Sequence, residues 1–374
     1  MKKVLSVILS LALLVGMVSV LASCSDNSGT AKIAVVTDVG QLMDKGFNQG
    51  TYEGAKAYAE AHNISYKYYQ PANGSDASDN DRMAAMRQAI TNGAEIIVAP
   101  GFLQATAMTT VAQEYPNVKF VFVDGWALTD DNGNPLSNVT AIVYKEQESG
   151  YLAGYAAVKE GYTKLGFTAG GGGTNPACNR FGYGFVQGAE AAAADMGLED
   201  GAIELRYSYK FGSTFSASTE LQTQIAGWYS NGTEVVFACG GSMFQSVKAA
   251  AEEYTGAKII GVDVDQSNES DRVITSAVKG LSASVEKVLG QYYDGKWDTE
   301  LAGTSQNLGA ADNATGLPTD TWSMTKFTID DYKAVLASIK DGTVTPKSDV
   351  PDDANNKDWL DALGLKKVSI NFES

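Results

Sequence analysis

Two α/β lobes with parallel sheets, facing each other across a cleft, are the fold this sequence predicts, on three observations. Apolar strand-like runs alternate with helical patterns almost throughout, an order that builds parallel sheets covered by helices on both faces. A stretch of 33 residues recurs at a constant offset of 139. About 350 residues follow a leader-like start, more than one ordinary core accommodates.

The leader is MKKVLSVILSLALLVGMVSVLASC. Lys2 and Lys3 form a basic n-region, an apolar run follows, and small residues precede Cys24. The run is nearly long enough to span a bilayer, which leaves an uncleaved anchor helix as the alternative. LASC resembles the bacterial lipobox, where the signal peptidase cuts before the cysteine and a lipid is attached to it. The polar SDNSGT that follows suits a tether. The reading is therefore a signal peptide over 1–23, lipidation of Cys24, and a tether over 24–30.

Losing Lys2 and Lys3 takes the formal net charge from −16 to −18. Such an acidic chain repels nucleic-acid phosphate, and no Lys/Arg block offsets that. Beyond Cys24 only Cys178 and Cys239 remain, which excludes a disulfide scaffold and a cysteine-rich metal site. Two small buried thiols are the reading, with a disulfide between them as the alternative. The sole histidine, His62, stands where a helix pattern ends and leaves no triad or His-rich zinc site to build.

The strands read in order as KIAVVT, SYKYYQ, AEIIVAP, VKFVFVD, TAIVYK, KLGFTAG, AIELRYS, TEVVFAC, AKIIGVD and RVITSAV. Helical segments such as MAAMRQAITNG and FGYGFVQGAEAAAADMG lie between them. LTDDNGNPLSN reads as a surface turn. AGGGGTNPACN lacks the Lys and Ser/Thr of a P-loop and reads as a cleft-side loop. DVDQSNESD lacks the central Gly and closing Glu of a calcium loop, so no metal is expected.

The repeat aligns NGAEIIVAPG, from Asn92, with NGTEVVFACG, from Asn231, and EYPNVKFVFVD with EYTGAKIIGVD. Eleven of the 33 positions are identical without a gap, which favours two similarly folded lobes. Asp124 and Asp263 are equivalent and each closes an apolar strand at its carboxyl end, the edge where open α/β sheets bind ligands. Each lobe would thus offer one carboxylate to a shared cleft. The alternative is that each aspartate caps the next helix.

Together with the lipobox, the stretches DVGQLMDKGFNQGTYEGAK, GAEIIVAPG, FVFVDG, GTEVVFACGG, IIGVDVDQ and VITSAVKG resemble the basic-membrane-protein family of substrate-binding lipoproteins. Its best understood members are purine nucleoside receptors for ABC transporters. The resemblance covers roughly 31 to 290 and implies a type I periplasmic-binding-protein-like fold with the ligand between the lobes. It places 31–146 with about 278–310 in one lobe, and 147–277 with about 311–374 in the other. The chain is expected to cross between lobes near 145–150, 270–278 and 305–320.

The resemblance also implies roles. In the family's first loop an aromatic ring stacks on the base and the next Asn hydrogen-bonds it; here these are Phe47 and Asn48, with Asp38 and Asp44 as nearby acceptors. Stacking on a flat face and hydrogen bonding to a polar edge suit a purine. The alternative is that Phe47 staples its helix start to the core. The family often has Ser before this Phe; this chain has Gly46. Phe215 aligns with the family's second aromatic, and Phe211 competes for that place. Asp124, Asp263 and Lys279 occupy the positions that bind ribose hydroxyls, although Lys279 also reads as an ordinary solvated lysine. Gly240 and Gly241 would let backbone approach the sugar, and Trp126 would wall the pocket.

The expected protein is a monomeric, extracytoplasmic lipoprotein held to the membrane by its lipid. It captures a purine nucleoside and passes it to an ABC permease, with no catalysis and no cofactor. Two other readings stand beside it: a binder of a sugar or another flat metabolite serving transport or sensing, and a hydrolase using Asp124 and Asp263 as paired carboxylates.

Overall fold

The computed structural model describes residues 30–39 and 41–374; the leader, Cys24 and the tether through 29 lie outside the described residues. In chain order the strands are β1 (Ile33–Val36), β2 (Tyr66–Tyr69), β3 (Ile96–Pro100), β4 (Lys119–Val123) and β5 (Val139–Tyr144). There follow β6 (Lys164–Ala169), β7 (Ile203–Ser208), β8 (Val235–Cys239), β9 (Lys258–Asp263) and β10 (Val273–Lys279). Last come β11 (Ser305–Leu308) and β12 (Thr315–Gly316), polar or short segments, and β13 (Val368–Glu373), whose VSINFE alternates apolar and polar residues; the sequence reading singled out none of the three.

One sheet has the order β11-β5-β4-β3-β1-β2 and is parallel throughout. The other has the order β12-β10-β9-β8-β6-β7-β13, and only the short β12 runs antiparallel. Helices α1 (Phe47–Ala61), α2 (Asp79–Thr91), α3 (Ala105–Glu114), α4 (Glu146–Glu160), α5 (Pro176–Asp195), α6 (Thr219–Ser230), α7 (Phe244–Glu252) and α8 (Leu281–Tyr293) cover the faces. Alternation along the strands feeds both layers. Ile33, Val35, Ile96, Val98, Val121 and Val123 pack with α1 and α8, whereas Ala34, Val36, Ile97, Phe120 and Phe122 pack with α2 and α3. Burying each large apolar side chain contributes about 1.5–3 kcal/mol.

Helix starts follow from local chemistry. Ser78 and Asp81 form a capping box at α2, Ser218 caps α6, and Asn175 caps α5 with Pro176 in its first turn. His62 closes α1, its ring stacked on Tyr58 at 4.1 Å. The turn at LTDDNGNPLSN is pinned by Asp130 Oδ1, which accepts from the backbone of Asn132 and Asn134.

The chain passes between the sheets after Tyr144, after Lys279 and between Leu308 and Thr315. The second crossing lies beyond the expected 270–278, because β10 stays registered on β9 as far as Val278. Side chains lace the three crossings together. Glu148 Oε2 accepts from Ala310 N at 2.6 Å and Thr315 Oγ1 at 2.7 Å; Ser149 Oγ donates to Val278 O and accepts from Gly316 N.

Helices α4 and α5 meet backbone to backbone. A methyl group on Gly150, Gly154, Gly184 or Gly188 would overlap a carbonyl oxygen on the opposite helix. Only glycine permits this approach, and it sets the spacing between the starts of the two helices.

Candidate functional site

The carboxyl ends of both sheets open onto one cavity of about 280 Å³, near the lower end of the range for small-molecule sites. Asp38, Asp44, Phe47, Asn48, Asp124, Trp126, Phe215, Gly240, Gly241, Asp263 and Lys279 all border it. Phe211 does not: it is 41 % exposed, with Lys210 over its ring. Between the two competing rings, Phe215 is therefore the one at the cavity.

Backbone conformation makes the repeat visible at this rim. Asp124 and Asp263 both adopt the left-handed region, with φ of 57° and 68°, and the equivalent Gly101 and Gly240 also have positive φ. Left-handed aspartates after two strands are uncommon and turn both side chains inward. Neither carboxylate caps a helix; both turn to Lys279. Its Nζ lies 2.5 Å from Asp124 Oδ2, 3.3 Å from Asp263 Oδ1 and 3.8 Å from Glu146 Oε1.

Lys279 is no solvated lysine, since its side chain is 2 % exposed. Burial disfavours its charge, but Asp124, Asp263 and Glu146 together outweigh that and hold its pKa well above the ordinary value. Burial pushes the Asp124 carboxyl up to about 6 against the pull of Lys279, and it raises that of Asp263 as well. Asp124 Oδ1 is buried and makes no hydrogen bond among the described residues. Three acids around one ammonium leave acceptor capacity for hydroxyl donors. The Lys279 Nζ also sits 4.7 Å from the centre of the Phe47 ring.

The first loop departs from the expectation that its polar residues are free to contact a ligand. Asp44 accepts from the backbone N–H of Gly46, Asn48 and Gln49, so it secures the start of α1. Asn48 spends its amide on Val39 O and Asp44 Oδ2, and its Oδ1 accepts from Asp38 N. Both residues hold the loop that presents Phe47. Asp38 Oδ1, by contrast, is 3.7 Å from Arg82 Nε and makes no hydrogen bond among the described residues. Burial lifts the Asp38 carboxyl to about 6, opposed by Arg82. Phe47 packs partly against the apolar layer of α1 and α8 while bordering the cavity, so stapling and lining coexist.

A family model described as "ABC transporter substrate-binding protein PnrA-like" matches residues 31–349. The chain belongs to this Bmp family. The "ABC transporter nucleoside-binding protein BmpA" of Lactococcus lactis is 29% identical, over 87% of this chain and 97% of its own. Basic membrane protein B of Borreliella burgdorferi is 28% identical, over 80% of this chain and 85% of its own. Among solved structures, an ABC transporter solute-binding protein of Aeropyrum pernix superposes with a TM-score of 0.66 at 22% identity, covering 85% of this chain and 88% of that one. At that identity the likeness is one of fold: two lobes of the type I binding-protein kind.

Glu146 and Arg180 of this Bmp-family site were not singled out from the sequence. Glu146, fully buried at the first crossing, accepts from Arg180 Nε at 2.5 Å, and Arg180 itself borders the cavity. An acid placed directly after a strand at the crossing was the available signal for Glu146; Arg180, inside a helix, gave none. The close seating of α4 on α5 brings the two together. Cys178 and Cys239 are free, buried thiols in the wall, with Cys178 Sγ 3.7 Å from Cys239 O. No group of His, Cys, Asp and Glu among the described residues could hold a metal ion.

Proposed function

We propose that this Bmp-family protein captures a purine nucleoside between its lobes and delivers it to an ABC permease. The observation that carries the reading is the composition of the cavity, in which each lobe supplies one aromatic ring and one left-handed aspartate around Lys279. Phe47 and Phe215 suit the two faces of a base, Asp38 suits an N–H on its edge, and Asp124 with Asp263 suits vicinal hydroxyls. The nucleoside-binding name of the Lactococcus lactis relative supports the same ligand class. Lipid attachment at Cys24 would keep the protein outside the cytoplasm beside its permease; Cys24→Ala should release it from membranes, and retention at wild-type levels would favour an anchor helix.

Mass spectrometry of small molecules carried through purification, followed by calorimetry with nucleosides, free bases and ribose, tests the ligand. A purine nucleoside should bind far more tightly than its base or sugar alone. Equal binding of sugars would move the protein to the sugar-binding reading, and turnover of the nucleoside would move it to the hydrolase reading.

A further inference from the structure

One buried polar contact joins the lobes behind the Phe47 loop, outside the cavity lining. Gln266, 1 % exposed, follows β9, and its Nε2 donates to Lys45 O at 2.8 Å across the cleft. Its remaining groups are anchored in its own lobe. Oε1 accepts from Val262 N at 2.9 Å, and the backbone N–H donates to Ser276 Oγ at 3.0 Å. The amide lies so close to β9 that a methyl on Gly261 would come within 2.5 Å of Gln266 Oε1. Its one donor group therefore points from a fixed base.

The receiving carbonyl is also prepared. Lys45 has φ of 58°, an unfavourable conformation for a lysine, at the end of the loop that presents Phe47. Its ammonium adds a second cross-lobe contact, 3.6 Å from Glu269 Oε1. The 139-residue repeat puts Ala127 at the place of Gln266, so the first lobe has no counterpart.

We propose that Gln266 is a positioning residue for ligand capture. It grips the first-lobe loop only when the lobes are closed, and so sets how long a ligand stays while touching none of it. This rests on the reading that the cleft closes on a purine nucleoside. A contact made only in the closed state should slow opening and leave encounter with the open state unchanged.

The test is Gln266→Glu, which keeps the Oε1 acceptor for Val262 N and sets a carboxylate against Lys45 O. Inosine dissociation by stopped flow should quicken about five- to tenfold, with association within about twofold, as expected for losing one hydrogen bond. Spin labels on the two lobes should report a shift toward longer distances in the ligand-free variant. Glu269→Lys, at a partly exposed position, supplies a variant that spares the buried amide; at low salt it should speed release about threefold, and high salt should erase the effect. Wild-type dissociation rates and unchanged distances in variants that melt normally would overturn the proposal. Should the wild type bind no nucleoside, the ligand reading fails, while the label distances still decide the latch.

Discussion

At the ends of β4 and β9 the chain makes the same backbone move, and the two ends then part. Asp124 and Asp263 share a left-handed φ and one ammonium. After Asp124 come Gly125 and the 48 % exposed Trp126, tilted against Phe122 at 5.5 Å; after Asp263 the chain buries Gln266, whose side chain reaches the first lobe at Lys45 O. The first end builds a wall of the cavity, and the second builds a buried contact between the lobes outside the cavity lining. A duplicated backbone fixes where each carboxylate sits, and the residues that follow decide what else each lobe does. The same contrast holds for the rings: Phe47 begins a helix whose loop is held by the hydrogen bonds of Asp44 and Asn48, whereas Phe215 stands at φ of 59° with its carbonyl accepting from Met243 N.

The largest effect should come from the group both ends share. Lys279→Met leaves Asp124 and Asp263 buried without their cation and Glu146 with Arg180 alone, and breaking such a pair costs about 3–5 kcal/mol. Urea denaturation at neutral pH should show that loss, and it should shrink in acid as the carboxyls protonate. An undiminished stability would mean that the two ends do not depend on one another. Next, Asp124→Asn and Asp263→Asn should each weaken nucleoside binding by about 1.5–3 kcal/mol, with little change for the free base. Asp124, closer to Lys279 and with an unengaged oxygen, should lie at the upper end. Equal losses in calorimetry would erase the asymmetry between the two carboxylates.

Phe47→Ala and Phe215→Ala should each cost about 1–3 kcal/mol of binding, and Phe211→Ala should not register. The pH dependence separates binding from folding. The folded pKa values of Asp38 and Asp124, about 6, lie above the ordinary 3.8, so the folded protein takes up these protons first. Stability from these two groups is therefore higher near pH 4 and declines as pH rises through 6. Nucleoside affinity should run the other way, falling about tenfold per unit below pH 6 for each carboxylate that must be ionised. Asp124→Asn should flatten that profile in titrations from pH 7 to 5. Smallest is Asp44→Ala, about 0.5–2 kcal/mol of stability as lost capping, with a weaker effect on affinity, because Asp44 already spends its oxygens on α1.

Ten strands, two similar lobes and their carboxyl-end edges were legible because apolar runs carry the period of a sheet and the repeat carries register. The strands β11 and β12 were not, since SQNL and TG are polar or short and pair through backbone groups supplied by distant neighbours; the alternating VSINFE of β13 did carry a strand period and was passed over, its partner β7 lying far back in the chain. At the cavity, residue type pointed to Phe47, Asp124 and Asp263, but type does not reveal whether a polar side chain is already spent. Asn48 and Asp44 bond to their own loop, a fact of geometry four and five residues long. Arg180 was hidden for another reason: its neighbour Glu146 is 34 positions away and meets it only because four glycines let two helices touch.

The interleaving of the two sheets also bears on how the chain comes to be folded. The first sheet has five strands in hand once Tyr144 is made, yet its edge strand β11 arrives only after the whole of β6 to β10. The second sheet waits in turn for β13, which pairs with β7 across more than 160 residues. Neither lobe is a contiguous folding unit, so contacts of long sequence separation must form before either is sealed, a topology that slows folding. A growing chain will carry an unfinished first sheet through most of its own synthesis, with the edge of β5 open until the return crossing covers it.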